Sequence, residues 1–200
     1  IHMFPTTLSN QLISLLTNKR RKSITLWLDI YDNKIISSSI EKTVIINKKT
    51  YSYDEFTKRS GKFKKITTII KHLHYKNITE RFKVGFDSHR LIEKLMIIYN
   101  CEARRFIQSN GYNPIYRTHG NKINSNTEIV DVDIELGHFL KIINSKSAMY
   151  TLDNIDTTHY SLQLDNYIHF TSPIRRYVDC YNHSLIHRVL SNLDKYSISI

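Results

Sequence analysis

The spacing of apolar residues changes once along this chain, and that change restricts the folds it can adopt. From Ile24 to Ile30, apolar residues alternate with other residues, a period that indicates a strand with one buried face. The pair Asp32-Asn33 predicts a turn into a second strand, KIISSSI, and the segment TVIIN predicts a third. Residues 1–50 are therefore predicted to be rich in strands, arranged as an antiparallel meander.

Helical spacing replaces this alternation further along the chain. Over residues 53–73, apolar side chains recur with a helical period opposite a series of lysines. A clearer helix follows, with Asp87 or Ser88 as its N-cap and its end before Gly111. The remaining predicted helices cover 132–143 and 173–190. We therefore predict an α+β fold in a single domain, strand-rich over 1–50 and helix-rich over 51–200.

The start of the last predicted helix has the composition of an anion site. Ser172 is a suitable N-cap, Pro173 suits the first helical position, and Arg175 and Arg176 follow in the first turn. Free N–H groups, hydroxyls and two guanidinium groups together suit a phosphate. Alternatively, this is an ordinary capped amphipathic helix in which Arg175 pairs with Asp179, four residues later. The spacing alone leaves both interpretations open.

The overall charge favours an anionic partner. The 200 residues carry a net charge of +11, with a pI near 9.6, which favours nucleic acid over a membrane surface. The abundance of lysine beside isoleucine and asparagine also fits an AT-rich genome, which would inflate the charge by itself. Two cysteines form neither a disulfide framework nor a metal-ligand spacing, and no long apolar run is present. We expect a soluble, intracellular protein, and no oligomeric state follows from the sequence.

Four ordered motifs resemble the ribonuclease II / ribonuclease R (RNB) family. The string HFTSPIRRY, followed by Asp179 and then His187-Arg188, resembles that family's central motif. HMFPTTLSNQLISLL resembles its MLPxxLSNxLxSL pattern, LIEKLMIIYNCEA resembles a conserved helix, and PIYRTH resembles the PxLYRxH that follows. The resemblance implies an RNB-type catalytic-domain portion that binds single-stranded RNA. The implied reaction is processive 3′-to-5′ hydrolysis to nucleoside monophosphates.

The resemblance also implies roles for individual side chains. Arg175 is expected to stabilise the charge that builds on the scissile phosphate, with Arg176 as an alternate or a channel contact. Tyr53 is expected to stack on a base, although a tyrosine half-buried at a helix start is the alternative. Glu93 and Arg117 match motif positions and are interpreted first as partners that stabilise the fold. The other expected RNA-binding residues are His169, Thr171, Ser172 and Tyr177.

The family's cofactor is Mg²⁺, held by a cluster of aspartates upstream of the first motif. This chain starts immediately before that motif, so we expect the metal ligands outside it and no RNA degradation by these 200 residues alone. Two acidic groups, Asp131/Asp133/Glu135 and Asp153/Asp156, are expected in caps or turns rather than at a metal. His183 and His187 are expected to be a surface or helix-packing pair rather than metal ligands. A non-catalytic RNA-binding or scaffold protein derived from this domain is the alternative function.

Overall fold

The structure is a computed structural model that describes residues 3–78, 82, 87–119, 148–153, 157–159 and 162–191. The helix predicted over 132–143 lies outside the described residues, as do the carboxylates of Asp131, Asp133, Glu135 and Asp156. Within the described ranges, no helix combines the length and the apolar composition needed to cross a membrane.

A long antiparallel hairpin replaces the predicted meander. Strand β1 (Arg20–Tyr31) pairs with β2 (Lys34–Ile46) from one end to the other. Asp32 and Asn33 connect them with φ of 46° and 56°, the left-handed conformation of a tight hairpin turn, which Asp and Asn tolerate well. The predicted turn is therefore correct, whereas the separate third strand is wrong. The residues TVII continue β2, because β1 extends far enough to pair with all four of them.

The chain then forms two short helices and one long one. Helices α1 (Tyr53–Lys58) and α2 (Ser60–His72) are separated at Arg59, and Ser52 and Glu55 form a capping box at the start of α1. Helix α3 (Ser88–Ser109) begins as predicted, since the side chain of Asp87 accepts a hydrogen bond from the N–H of Arg90. Shorter helical turns occur at Leu8–Leu12 and Lys76–Ile78.

Helix α3 joins two apolar clusters into the core. Its first half packs against α2, the following segment and the hairpin, and its second half packs against residues before and within the last helix. That last helix, α4, covers Tyr177–Leu190, and a small antiparallel pair is formed by β3 (Tyr116–Thr118) and β4 (Met149–Thr151). Antiparallel strands with packed helices confirm the α+β class.

Helix α4 starts four residues later than predicted. The N–H groups of Arg175 and Arg176 both bond to the carbonyl of Ser172 at 3.2 Å, which closes a turn rather than a helix. Arg176 has φ −132° and ψ 121°, an extended conformation that separates this turn from the helix. Ser172 is therefore not the N-cap and Pro173 is not the first helical residue. Both arginines lie in the approach to α4.

Candidate nucleic-acid interface

A groove of about 1120 Å³ lies between the hairpin, the N-terminal segment and the approach to α4. Three cationic side chains line it: Lys22 from β1, Lys42 from β2 and Arg175. No carboxylate lines it among the described residues. The remaining polar lining includes Thr171 and Ser172, and apolar residues such as Ile24 and Val44 form much of the wall. The lining of the groove therefore carries positive charge and is otherwise largely apolar.

Buried amides hold the approach to α4 in place. The N–H of Phe170 donates to the Oδ1 of Asn100 on α3 at 3.0 Å. Asn182 on α4 donates through its Nδ2 to the carbonyls of His169 at 2.9 Å and Ile115 at 3.2 Å. Both asparagines are almost fully buried, where such bonds are costly to lose. The loop that carries Arg175 is thus attached to two helices.

The two adjacent arginines have different surroundings. Arg176 contacts the fully buried Asp179 with its Nε 2.7 Å from Oδ2 and an Nη 2.8 Å from Oδ1. Asp179 Oδ1 also accepts the N–H of Ser172 at 2.6 Å. Arg175 is exposed and makes one 3.3 Å hydrogen bond, to Ser172 Oγ. The ion pair with Asp179 considered from the sequence therefore forms with Arg176, and the Arg175 guanidinium remains available.

Two stacked rings, Phe170 and His183, form part of the groove lining. Phe170 stacks on His183 with centroids 3.8 Å apart and planes 7° apart, and His183 Nε2 lies 2.8 Å from the carbonyl of Phe170. Burial lowers the pKa of His183, against the opposing effects of that carbonyl and of Asp179. His183 is therefore a packing residue, in line with the expectation, and His187 also lines the groove.

Three of the expected RNA-binding residues lie away from the groove lining. The Nδ1 of His169 is hydrogen-bonded to the Tyr150 hydroxyl at 2.8 Å, and burial, aided by the charge of Arg176, lowers the pKa of His169 to about 4. Tyr177 is the first residue of α4 and is 72% exposed. Tyr53, 45% exposed, stacks on His89 with centroids 3.8 Å apart. Thus the groove unites Arg175, Thr171 and Ser172 but not these three side chains.

The motif residues Glu93 and Arg117 take part in contacts within the fold. Glu93 forms a 3.0 Å ion pair with Arg90 on α3. Arg117 donates to the carbonyl of Ala148 at 2.8 Å and lies 4.6 Å from the ring centroid of Tyr150. These contacts agree with their interpretation as partners that stabilise the fold.

Sequence reasoning missed the two lysines of the groove. Lys22 pairs with Val44 and Lys42 with Ile24, so both side chains lie on the same face of the hairpin. The predicted turn could have suggested this pairing. However, the register shifts by one residue at a bulge between Asp29 and Ile30, and one residue of shift moves side chains to the opposite face.

The part of the chain that the structure describes does not fit a magnesium site. No three His, Cys, Asp or Glu side chains within it come together in a group that could hold a metal ion. Asp153 lies exposed in the loop after β4, with its N–H bonded to Thr151 Oγ1 at 3.0 Å.

Comparisons with known proteins identify the family. The family model of the RNB domain matches residues 1–81 and 62–192. Ribonuclease R of Buchnera aphidicola (subsp. Schizaphis graminum) is 24% identical over 262 aligned positions, which cover 96% of this chain and 35% of that protein. The chain thus spans about a third of this relative's length.

Solved structures show the same fold. Mycoplasma genitalium RNase R in complex with double-stranded RNA superposes with a TM-score of 0.79 at 20% identity, covering 99% of this chain and 47% of that one. Yeast Ssd1, described as a pseudonuclease, gives a TM-score of 0.77 at 17% identity, covering 98% of this chain and 32% of that one. The fold is therefore found in both a nuclease and a pseudonuclease.

Proposed function

The chain belongs to the RNB domain family, and on that premise we propose that its groove holds the backbone of single-stranded RNA within a 3′-to-5′ exoribonuclease. This proposal depends mainly on the position and the free donors of the Arg175 guanidinium. Its guanidinium lines the groove, is exposed and has no carboxylate partner among the described residues. A guanidinium with free donors can bind two phosphate oxygens at once. The hydroxyls of Thr171 and Ser172 line the same wall and can donate to a neighbouring phosphate.

The charge of the groove supports a polyanionic ligand. Lys22, Lys42 and Arg175 line it without a carboxylate among the described lining residues. Lysine and arginine that neutralise phosphates release counterions, so binding falls as salt is raised. The apolar lining suits bases or sugars. These features favour a nucleic-acid strand over a small inorganic anion.

Arg175 has a second role in this proposal, in the reaction itself. Negative charge builds on the phosphate during hydrolysis of a phosphodiester, and a fixed cation stabilises it. Removing one such donor typically lowers turnover by about 10²–10³-fold. Magnesium is the proposed cofactor and would supply the activated water. Its ligands would come from outside the described part of the chain, which has no suitable cluster.

Arg176 is proposed as a positioning residue rather than a catalytic one. Its guanidinium is engaged by Asp179, and Asp179 also holds the N–H of Ser172. The pair therefore orients the turn that presents Arg175.

Fluorescence anisotropy with a labelled single-stranded oligoribonucleotide tests the binding site. Arg175→Ala should weaken binding and reduce its salt dependence between about 50 and 200 mM salt. The control is Lys58→Ala, which removes the same charge from an exposed position of α1 outside the groove. Equal effects of the two substitutions, or affinity that does not depend on salt, would refute the proposed site.

Product analysis tests the reaction. We expect the 200 residues to bind RNA without shortening it in magnesium. A longer version that includes the family's aspartate cluster should shorten a 5′-labelled strand from its 3′ end and release nucleoside monophosphates. Arg175→Ala in that version should lower turnover far more than binding. Binding without shortening by the longer version would instead favour the non-catalytic function. Shortening by the 200 residues themselves would place the metal site within them, with Asp131, Asp133, Asp153 and Asp156 as first candidates.

A further inference from the structure

A second polar depression lies at the other end of the hairpin from the groove. It has a volume of about 490 Å³ and borders the first residues of β2, whereas the groove borders the last ones. Its polar lining includes Lys34, Ser38, His74, Lys76, Glu102 and Arg105. We propose that this depression is a second RNA-backbone site, which binds a phosphate of a strand that also occupies the groove. This inference rests on the proposed function for the identity of the polymer.

The carboxylate of this depression is already satisfied by its neighbours. Glu102 accepts hydrogen bonds from Ser38 Oγ at 2.6 Å and Tyr75 Oη at 2.8 Å, and it pairs with Arg105 at 2.5 Å. Burial alone would raise the pKa of Glu102, but these bonds and the charge of Arg105 lower it. Glu102 therefore stays ionised and balances Arg105, so it leaves the charge of Lys34 uncompensated.

The two lysines of the depression come from distant parts of the chain. Lys34 starts β2, and Lys76 starts the helical turn after α2. The N–H of His74 donates to the carbonyl of Asn33 at 2.6 Å, which fastens the second segment to the hairpin turn. Asp29, bonded to Ser37 on the rim, offsets part of the charge. The depression therefore has three positive charges, on Lys34, Lys76 and Arg105, against two negative charges, on Asp29 and Glu102, so a positive excess remains.

Lys76 has an unusual backbone conformation. Its φ is 46°, in the left-handed region, which costs a lysine roughly 1–2 kcal/mol. The neighbouring Tyr75 is buried and hydrogen-bonded to Glu102, so the surrounding packing can maintain this conformation. The Lys76 Nζ lies 5.5 Å from the Tyr75 ring centroid. The ammonium group is thus held beside the depression without a carboxylate partner among the described residues.

The geometry makes RNA length the deciding variable. Lys34 borders the depression and Lys42 borders the groove, eight residues apart on β2, or about 26 Å along the strand. Helix α3 contributes Tyr99 to the lining of the groove and Glu102 to the lining of the depression. A strand must span this distance to reach the cations of both sites. A very short oligonucleotide can therefore occupy only one site.

The test compares two double variants with equal charge change. Lys34→Gln/Lys76→Gln removes the lysines of the depression, and Lys58→Gln/Lys62→Gln removes two exposed lysines of α1 and α2. Anisotropy is measured with labelled RNAs of about 4 and about 20 nucleotides. The first variant should bind the longer RNA several-fold more weakly, with a salt slope smaller by about 0.7, as one phosphate contact on a single strand predicts. Its affinity for the shorter RNA should be unchanged, and the control variant should lose less.

Several outcomes separate this inference from the proposed function. Equal losses in the two double variants, or equal losses for both RNA lengths, would overturn the second site. Arg175→Ala should weaken both lengths. If Arg175→Ala weakens neither length while Lys34→Gln/Lys76→Gln weakens the longer RNA, the groove proposal fails, and the depression is an RNA site but not one that shares a strand with the groove. Melting temperatures of all variants show whether any loss reflects unfolding.

Discussion

Replacing each of the two adjacent arginines separately should have opposite consequences for stability and RNA binding. Arg176→Ala removes the only cation in contact with Asp179 among the described residues. Arg175→Ala removes an exposed guanidinium with one 3.3 Å hydrogen bond. We therefore expect Arg176→Ala to destabilise the protein and Arg175→Ala to leave its stability nearly unchanged.

The magnitude follows from the burial of the pair. Asp179 is fully buried and the Arg176 side chain is 24% exposed. Removing one member of a buried ion pair costs about 3–5 kcal/mol, because the other charge is left without a partner. Partial access of water to Arg176 reduces this to about 2–4 kcal/mol. For Arg175→Ala we expect less than about 0.5 kcal/mol.

Urea unfolding followed by circular dichroism measures both free energies. In a protein of this size, 2–4 kcal/mol corresponds to a fall in melting temperature of roughly 5–15 °C. Arg176→Lys is the matched control: it keeps the charge but loses the two-pronged contact with Asp179, so its destabilisation should be intermediate. RNA binding by the folded variants should be weakest for Arg175→Ala.

Two results would contradict this reasoning. A loss below about 1 kcal/mol for Arg176→Ala would mean that the ion pair does not hold the turn. Equal destabilisation by both alanine substitutions would mean that the two arginines share one structural role.

Three further predictions concern single buried or stacked side chains. Lys94 is fully buried and donates to the carbonyls of Lys71 and Leu73, and burial lowers its pKa to about 8. Above pH 8 the unfolded state therefore binds more protons than the folded state, so the free energy of unfolding should rise between about pH 8 and 9.5. Lys94→Met should abolish this rise, which is measured as the difference in unfolding free energy between wild type and variant. Burial lowers the pKa of His169 to about 4, so stability should fall as pH drops from about 6.5 to 4, and an equal fall in His169→Gln would exclude this cause. Tyr53→Ala should weaken RNA binding by about 1–3 kcal/mol with little sequence preference, whereas Tyr53→Phe should retain it; anisotropy with two unrelated sequences tests this.

Local patterns in the sequence were sufficient for the class of fold and for several element boundaries. The alternation over residues 24–30 and the Asp32-Asn33 turn identified the hairpin, because one buried face requires a period of two. The predicted ends of α3, after Asp87 and before Gly111, are correct, and Gly111 lies beyond the helix with a φ of 78°. Each of these signals depends on residues that are neighbours in the chain.

Long-range contacts decided the candidate site. The motif TSPIRR predicted a helix from Pro173, but Asp179 accepts the N–H of Ser172, and this bond favours a turn that places Arg176 against Asp179. Lys42 joins the groove because β2 is one continuous strand whose register shifts at a bulge.

The sequence by itself determined that this chain has an α+β fold of the RNB type and that two arginines lie near the start of its last helix. Only the tertiary structure distinguished those arginines, pairing Arg176 with a buried carboxylate and leaving Arg175 in a positive groove. The physical reason is that cap and periodicity signals are set by adjacent residues, whereas burial and charge pairing depend on which distant segments pack together. The amides of Asn100 and Asn182, which hold the approach from two helices, illustrate that dependence.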